Sequence, residues 1–153
     1  ELPFTAGDFT AFRKQLEGAR AVLILGDNAG EVVFDKLLTR HLSESREVYY
    51  AVRGGPALND ATVEDAVRTG IGAYATLVST GCTMPGTLYE ACDPDFRQLF
   101  DRADLVISKG QGNYEALSDV SRGLFFLLKA KCAQIAAALG VEQGAYVFRA
   151  HNI

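Results

Sequence analysis

Short apolar segments recur along this chain, and each leads through a polar turn into a helical pattern. The clearest is the run at 21–25, which precedes the turn at 26–31 and a helix over 31–42 whose periodic apolar residues predict one inward-packing face. Further candidate strands lie at 48–52, 75–79, 105–108, 124–128 and 145–148. Because strands and helices alternate with short connections, the pattern predicts an α/β fold with a doubly wound, mostly parallel sheet of five or six strands flanked by helices.

Length and charge limit what kind of protein this is. The 153 residues suit one domain spanning 1–153, with 48% apolar and 22% charged residues. No apolar run approaches the ~18 residues of a membrane helix, so no membrane association is expected. The net charge is −4 and the basic residues form no stripe, so no nucleic acid is expected as a partner.

The three cysteines lie far apart and include no C-x-x-C pair. Cys82, Cys92 and Cys132 are odd in number, which argues against a disulfide framework and against a thiolate zinc site. We therefore expect a reducing, cytoplasmic environment.

The turn at 26–31, Gly-Asp-Asn-Ala-Gly-Glu, contains the first candidates for chemistry. In a parallel sheet the carboxyl ends of the strands meet at one edge, where ligands bind. Asp27 and Asn28 stand at such an end. The alternative is that Asp27 only caps the next helix and Gly30 only eases the turn.

Polar residues follow the other predicted strands as well. These residues are Arg53, Asp60, Lys109, Asn113 and Lys129. Asp60 taken alone could be only a helix cap. The turn at 109–115 contains Gly110 and Gly112, and its backbone N–H groups at a helix start suit a phosphate. It lacks the third glycine of the dinucleotide fingerprint and the Gly-Lys-Ser/Thr ending of a P-loop, so neither class is supported.

These side chains combine two kinds of recognition. Two carboxylates and an amide oxygen are hard ligands that suit Mg²⁺ or Mn²⁺, whereas lysines and backbone N–H groups suit a phosphate. If they converge on one crevice, a divalent ion beside a phosphate implies phosphoryl chemistry.

Five motifs in order resemble one protein family. They are GDNAGE at 26–31, RGGP at 53–56 with LNDAT at 58–62, PGT at 85–87, SKGQGNYE at 108–115 and LKAKC at 128–132. Together they resemble the damage-control phosphatase family, once catalogued as domain of unknown function 89, and look most similar to its stand-alone prokaryotic branch.

The resemblance implies a metal-dependent phosphatase with a Rossmann-like core. It implies a metal on Asp27, Asn28 and Asp60 and a substrate phosphate on Lys129, with Mn²⁺, Mg²⁺, Co²⁺ or Ni²⁺ as the ion. Its substrates would be small phosphorylated metabolites such as sugar phosphates or cofactor precursors. We expect Asp27, Asp60 and Lys129 to be catalytic. The expected substrate-binding residues are Arg53, Lys109, Gly110, Asn113 and Lys129.

One departure from the family concerns the amino-terminal side. Family members carry a largely helical segment before the first motif, far longer than the stretch before Gly26 here. The resemblance therefore implies that this chain corresponds to the C-terminal α/β portion, on which an upstream helical segment is expected to pack.

Two routes for phosphoryl transfer stay open at this stage. Either a metal-bound or carboxylate-oriented water attacks the phosphorus, or Asp27 attacks it directly. The Asp-x-Asp signature of haloacid-dehalogenase phosphatases is absent after the first strand, which favours water.

Two other functions are alternatives. The domain could be a non-catalytic metal- or metabolite-binding module. It could also be an S-adenosylmethionine-dependent carboxyl methyltransferase, a function proposed for a eukaryotic branch of the same family. The sequence shows no glycine-rich first loop with a downstream acidic residue to anchor the ribose of that cofactor.

Overall fold

The computed structural model describes residues 4–153 as alternating strands and helices. The strands are β1 (Phe4–Gly7), β2 (Ala21–Leu25), β3 (Glu47–Val52), β4 (Thr76–Ser79), β5 (Leu105–Lys109), β6 (Leu124–Lys129) and β7 (Tyr146–His151). The helices are α1 (Phe9–Gly18), α2 (Val32–Ser43), α3 (Val63–Thr69), α4 (Pro94–Arg102), α5 (Gln111–Leu117) and α6 (Ala133–Leu139). Short 3₁₀ turns lie at Ala29–Glu31, Ile71–Ala73 and Tyr89–Ala91.

In this part of the chain the strands form one sheet in the order β1-β7-β6-β5-β2-β3-β4. Neighbouring strands are parallel except β6 and β7, which are antiparallel. The predicted α/β fold with a mostly parallel sheet is confirmed, and each of the six predicted strands is present. The four residues of β1 add a seventh strand at the edge, which the sequence analysis did not predict because so short a strand shows no clear apolar alternation.

The sheet carries an apolar layer on each face. Leu23, Val106 and Phe126 pack on one side, against α4, α5 and α6. Ile24 and Phe125 pack on the other side, against α1, α2 and α3. Strands covered on both faces are apolar throughout, which explains the unbroken hydrophobic runs of the central strands. Each large side chain buried in this way contributes roughly 1.5–3 kcal/mol.

Strand order determines where the polar turns meet. The chain leaves β2 for β3 on one side, whereas β5 and β6 lie on the other side of β2. The carboxyl ends of β3, β2, β5 and β6 therefore stand side by side. A crevice forms where the connections that follow two neighbouring strands leave in opposite directions. Ligands usually bind at such a point in an open α/β sheet.

Helix α2 differs from its sequence-based prediction. Its inward face is made by Val32, Asp35, Thr39 and Leu42. Several apolar residues that the periodicity placed inward are exposed, most of all Phe34, with 73% of its surface accessible. The prediction was wrong for these residues because apolar positions surround much of the helix, while the inward face accommodates an acid and a threonine.

Two further observations concern residues 4–153. None of the helices there is both long and apolar enough to cross a lipid bilayer. The three cysteines are free thiols, and Cys82 and Cys92 are buried.

Candidate active site

Asp27 stands directly after β2 in a turn that neighbouring chain segments hold in place. The N–H of Gly26 donates to the carbonyl of Ala51 at 2.9 Å, and the N–H of Ala61 donates to the carbonyl of Asp27 at 2.7 Å. A Cβ at position 26 would lie 2.8 Å from the Tyr50 hydroxyl oxygen, so glycine lets this strand end pass close to Tyr50. The turn is therefore fixed by packing as well as by its own sequence.

The same backbone contacts bring Asp60 beside this turn. Asn28 and Asp60 form an isolated antiparallel bridge, and the N–H of Ala29 donates to the carbonyl of Asn59 at 2.9 Å. The Asn28 side-chain oxygen accepts a hydrogen bond from the N–H of Gly30 at 2.8 Å. The three residues predicted to bind a metal are thus brought together from two segments of the chain.

The Asp27 carboxylate is buried and has no compensating donor. Asp27 has 8% of its surface exposed, and within residues 4–153 neither a hydrogen bond nor an ion pair reaches its carboxylate. Burial, and then the negative charges of Asp60 and Glu31, raise its pKa to about 6, with Lys131 and Arg53 opposing the rise. A cation bound here would relieve this cost.

Gly110 forms the wall next to Asp27. Its φ is +83°, and a Cβ there would lie 2.0 Å from Oδ2 of Asp27. Only glycine allows the backbone to approach the carboxylate so closely. Gly110, predicted to bind substrate, therefore lies directly against the predicted metal ligand.

The side chains fit a hard divalent cation. Asp27 offers two oxygens without hydrogen bonds, and Asp60 offers Oδ1, which accepts no hydrogen bond from the described residues. The amide oxygen of Asn28 keeps a second lone pair besides its bond to Gly30. Residues 4–153 contain no group of three or more His, Cys, Asp and Glu side chains placed to hold a metal, so a cation bound here would also use the amide. Oxygen-only ligands of this kind suit Mg²⁺ or Mn²⁺.

Arg53 lies behind Asp60 and is almost completely buried, with 1% of its surface exposed. Its Nε donates to Oδ2 of Asp60 at 2.7 Å, and its two terminal nitrogens donate to Thr87 and Asn113, each at 2.8 Å. The sequence analysis expected Arg53 to bind substrate. The structure instead directs its guanidinium to three protein acceptors.

Asn113 is fully buried at the start of α5 and joins three strand ends. Its amide nitrogen donates to the carbonyl of Gly26 at 3.1 Å and to that of Lys109 at 2.7 Å. Its side-chain oxygen accepts from Arg53 and from the hydroxyl of Thr87. The side chain predicted to bind substrate therefore ties β2, β3 and β5 together.

Lys109 is held by two carboxylates. Its ammonium nitrogen lies 2.5 Å from Oδ1 of Asp35 and 2.7 Å from Oε2 of Glu31. The Tyr50 hydroxyl donates to the other Asp35 oxygen at 2.6 Å. Burial alone would lower the pKa of Lys109, but Asp35 and then Glu31 outweigh it, so the pKa is raised and the lysine stays charged.

A pocket of about 250 Å³ opens beside Asp27. Asp27, Lys109, Gly110, Lys129 and Lys131 all contribute to its wall. The Lys129 ammonium stands 5.4 Å from the centre of the Tyr146 ring, which also lines the pocket. The acid predicted to bind the metal and the lysine predicted to bind phosphate therefore share one cavity at the carboxyl edge of the sheet.

Four residues of this site were not predicted from the sequence, namely Asp35, Tyr50, Thr87 and Lys131. Asp35 had a readable signal, because it is an acid on the inward face of an amphipathic helix, where a charge needs a buried partner. Nothing in the local sequence indicated that Thr87 would meet Arg53.

Fold and site together define a class of protein. The domain is a Rossmann-like α/β domain with acidic and amide side chains at the carboxyl edge of its sheet and lysines around an adjoining pocket. The family model of the damage-control phosphatase ARMT1-like domain matches residues 1–147. The chain belongs to this family, and the resemblance predicted from its motifs is confirmed.

Relatives from archaea support the assignment. A damage-control phosphatase of Pyrococcus horikoshii is 41% identical over 137 residues, which cover 88% of this chain and 48% of the relative. A damage-control phosphatase of Archaeoglobus fulgidus is 39% identical over 134 residues, which cover 86% of this chain and 46% of the relative. The chain thus spans about half the length of the curated relatives it matches.

A solved structure shows the same fold. The crystal structure of a DUF89 family protein from Pyrococcus horikoshii superposes with a TM-score of 0.89 at 40% sequence identity. The match covers 95% of this chain and 52% of that chain. The arrangement of strands and helices described above is therefore that of the family.

Proposed function

We propose that this domain provides the catalytic site of a metal-dependent phosphatase that hydrolyses small phosphorylated metabolites. Two relatives that match most of the chain carry the name damage-control phosphatase. The observation on which the proposal rests most is that a buried carboxylate without hydrogen bonds, Asp27, shares a pocket with Lys129 and Lys131. Such a pocket suits a cation and a phosphate side by side.

The metal ligands in this proposal are Asp27, Asn28 and Asp60. A bound Mn²⁺, Mg²⁺, Co²⁺ or Ni²⁺ would act as a Lewis acid on a phosphoryl oxygen. The residues themselves explain why a cation is favoured, since burial, and then repulsion from Asp60, raise the pKa of Asp27 in the metal-free protein.

Lys129 is the proposed contact for the substrate phosphate. It lines the pocket that holds Asp27, and its ammonium would offset the negative charge that develops as the phosphoryl group transfers. A pocket of about 250 Å³ is smaller than a typical drug-sized site, so it favours compact metabolites such as sugar phosphates or cofactor precursors.

Two nucleophiles are alternatives in this proposal. In the first route, water attacks phosphorus, the P–O ester bond breaks, and the alcohol leaves with a proton. In the second, Asp27 forms an aspartyl phosphate that water then hydrolyses. The stereochemical course at a chiral phosphorus separates them, because the single displacement of the first route inverts the configuration and the two displacements of the second retain it.

The test of the function is a phosphate-release assay over a panel of phosphorylated metabolites with each of the four metals. We expect metal-stimulated release that Asp27→Asn and Lys129→Met abolish. Glu64→Gln, which alters only an exposed ion pair, is the control and should retain activity. A wild-type chain that releases no phosphate with any metal or substrate would contradict the proposal.

A thermal shift with Mn²⁺ distinguishes the phosphatase from the non-catalytic module. A ligand that binds only the folded state raises the melting temperature. Stabilisation by Mn²⁺ that Asp27→Ala removes, without turnover of any substrate, would favour the module.

Two further expectations of the resemblance belong to this proposal. The exposed apolar side chains of α2, Val33, Phe34 and Leu37, suit contact with the kind of helical segment that precedes the first motif in the family.

Three free thiols suit a reducing compartment, and we propose the cytoplasm.

A further inference from the structure

We infer that Arg53 is a positioning residue that orients Asp60 for metal binding and does not contact the substrate. The inference rests on the proposed function, since it concerns the same site. It assigns Arg53, Thr87 and Asn113 to one buried support behind the metal ligands.

The accessibility and bonding of Arg53 argue against a substrate role. With 1% of its surface exposed, the side chain presents no group to the pocket beside Asp27, and the residues lining that pocket do not include it. Each of its three nitrogens already donates to a protein oxygen at 2.7–2.8 Å. A phosphate could reach the guanidinium only by displacing these acceptors.

The contact with Asp60 holds one oxygen and leaves the other available. Arg53 Nε and the N–H of Gly86, at 2.7 and 3.4 Å, both donate to Oδ2. A carboxylate held through one oxygen has its rotation fixed, so Oδ1 points in a defined direction. Groups that orient metal ligands in this way commonly change metal affinity by 10- to 100-fold when they are removed.

The guanidinium is itself held by a hydrogen-bonded network. Thr87 accepts from Arg53 and donates to the Asn113 oxygen at 2.8 Å. The Asn113 amide nitrogen bonds to the carbonyl groups of Gly26 and Lys109. Because Gly26 precedes Asp27, the network links the backbone beside Asp27 to the Asp60 carboxylate through side chains that do not line the pocket.

Lysine cannot replace arginine in this position. A guanidinium makes three directed hydrogen bonds in one plane, whereas an ammonium on a flexible stem cannot reach three fixed acceptors with the same geometry. Arg53→Lys therefore keeps the charge and removes the orientation. Thr87→Val keeps the shape of the side chain and removes its two hydrogen bonds to the network.

The experiment measures two affinities for each variant. Isothermal titration gives the dissociation constant for Mn²⁺. Competition between inorganic phosphate and the substrate, at saturating Mn²⁺, gives the inhibition constant for phosphate. For Arg53→Lys and Thr87→Val we expect Mn²⁺ binding to weaken by about 10-fold or more, with the phosphate constant changed less than twofold. The control is Thr39→Val, which alters a fully buried threonine whose hydroxyl has no hydrogen bond in the described residues. It should leave both constants unchanged.

The outcomes separate this inference from the proposed function. If wild-type protein binds no Mn²⁺, the metal site and the inference both fail. If wild-type protein binds Mn²⁺ and both variants bind it as tightly, only the inference fails. Weaker phosphate binding with unchanged Mn²⁺ binding in Arg53→Lys would show that Arg53 contacts the substrate. If Arg53→Lys does not fold, Thr87→Val decides alone.

Discussion

The ion pair between Lys109 and Asp35 offers the sharpest test of how the site is built. The two side chains are 9% and 7% exposed, and their charged atoms lie 2.5 Å apart. Lys109→Met keeps most of the side-chain volume and removes the charge. It leaves the Asp35 carboxylate buried with only the Tyr50 hydroxyl as a donor, and it leaves Glu31 without its cation.

The expected loss of stability follows from this burial. Breaking a buried pair by removing one partner typically costs about 3–5 kcal/mol. The remaining Tyr50 bond places Lys109→Met near the lower value, about 3 kcal/mol, which corresponds to a fall in melting temperature of roughly 6–12 °C in a domain of this size. Asp35→Asn alone should cost less, because Glu31 still faces the ammonium.

The assay is equilibrium unfolding in urea at neutral pH with chelator present. The double variant Lys109→Met/Asp35→Asn removes both charges and keeps an acceptor for Tyr50, so it should recover about 2 kcal/mol relative to the sum of the single variants. Arg68→Met breaks an exposed pair with Glu64 and should cost less than about 0.5 kcal/mol. An equally small loss in the free energy of unfolding for Lys109→Met and Arg68→Met would refute this prediction. Additive losses for Lys109→Met and Asp35→Asn would refute it as well.

Three more substitutions test other parts of the site and its support. Burial, and then the charges of Asp60 and Glu31, raise the pKa of Asp27 to about 6, so the stability of metal-free wild-type protein falls as the pH rises from about 4 to about 6 and is level above that. Asp27→Asn should therefore equal wild type below pH about 4 and exceed it by about 3 kcal/mol at pH 8, and a pH-independent difference in urea unfolding would contradict this. Gly110→Ala should lose Mn²⁺ binding in calorimetry, because its Cβ would lie 2.0 Å from Asp27 Oδ2; unchanged affinity would show that the loop adjusts. Thr62→Ala removes the cap of α3 and should cost about 1 kcal/mol in urea unfolding, because the Asp65 N–H loses its acceptor, and no loss would show that water replaces the cap.

The central strands and the polar turns after them could be predicted because both depend on local sequence. A strand buried on both faces must be apolar throughout, and the turn that follows must expose polar groups. That reasoning placed Asp27, Asn28 and Lys129 at one edge of the sheet, and their roles in metal and phosphate binding stay predictions. The edge strand β1 was not predicted, since its pairing with β7 is made with residues more than a hundred positions away.

The roles of buried polar residues depended on contacts that no local pattern encodes. Arg53 and Asn113 were predicted at the correct sheet edge but as substrate contacts. Arg53 turned inward because Asp60, Thr87 and Asn113 accept its hydrogen bonds out of water. The amide nitrogen of Asn113 is likewise satisfied by the carbonyl groups of Gly26 and Lys109, which the strand order brings close.

The sequence by itself determined the α/β alternation, the family and the edge of the sheet where the polar residues gather. These follow from hydrophobic periodicity and from motifs that lie within a few residues of each other. Only the tertiary structure decided which of those residues face the pocket and which support it from behind. Lys109 on β5 pairs with Asp35 on α2, and such a contact depends on how the strands and helices pack.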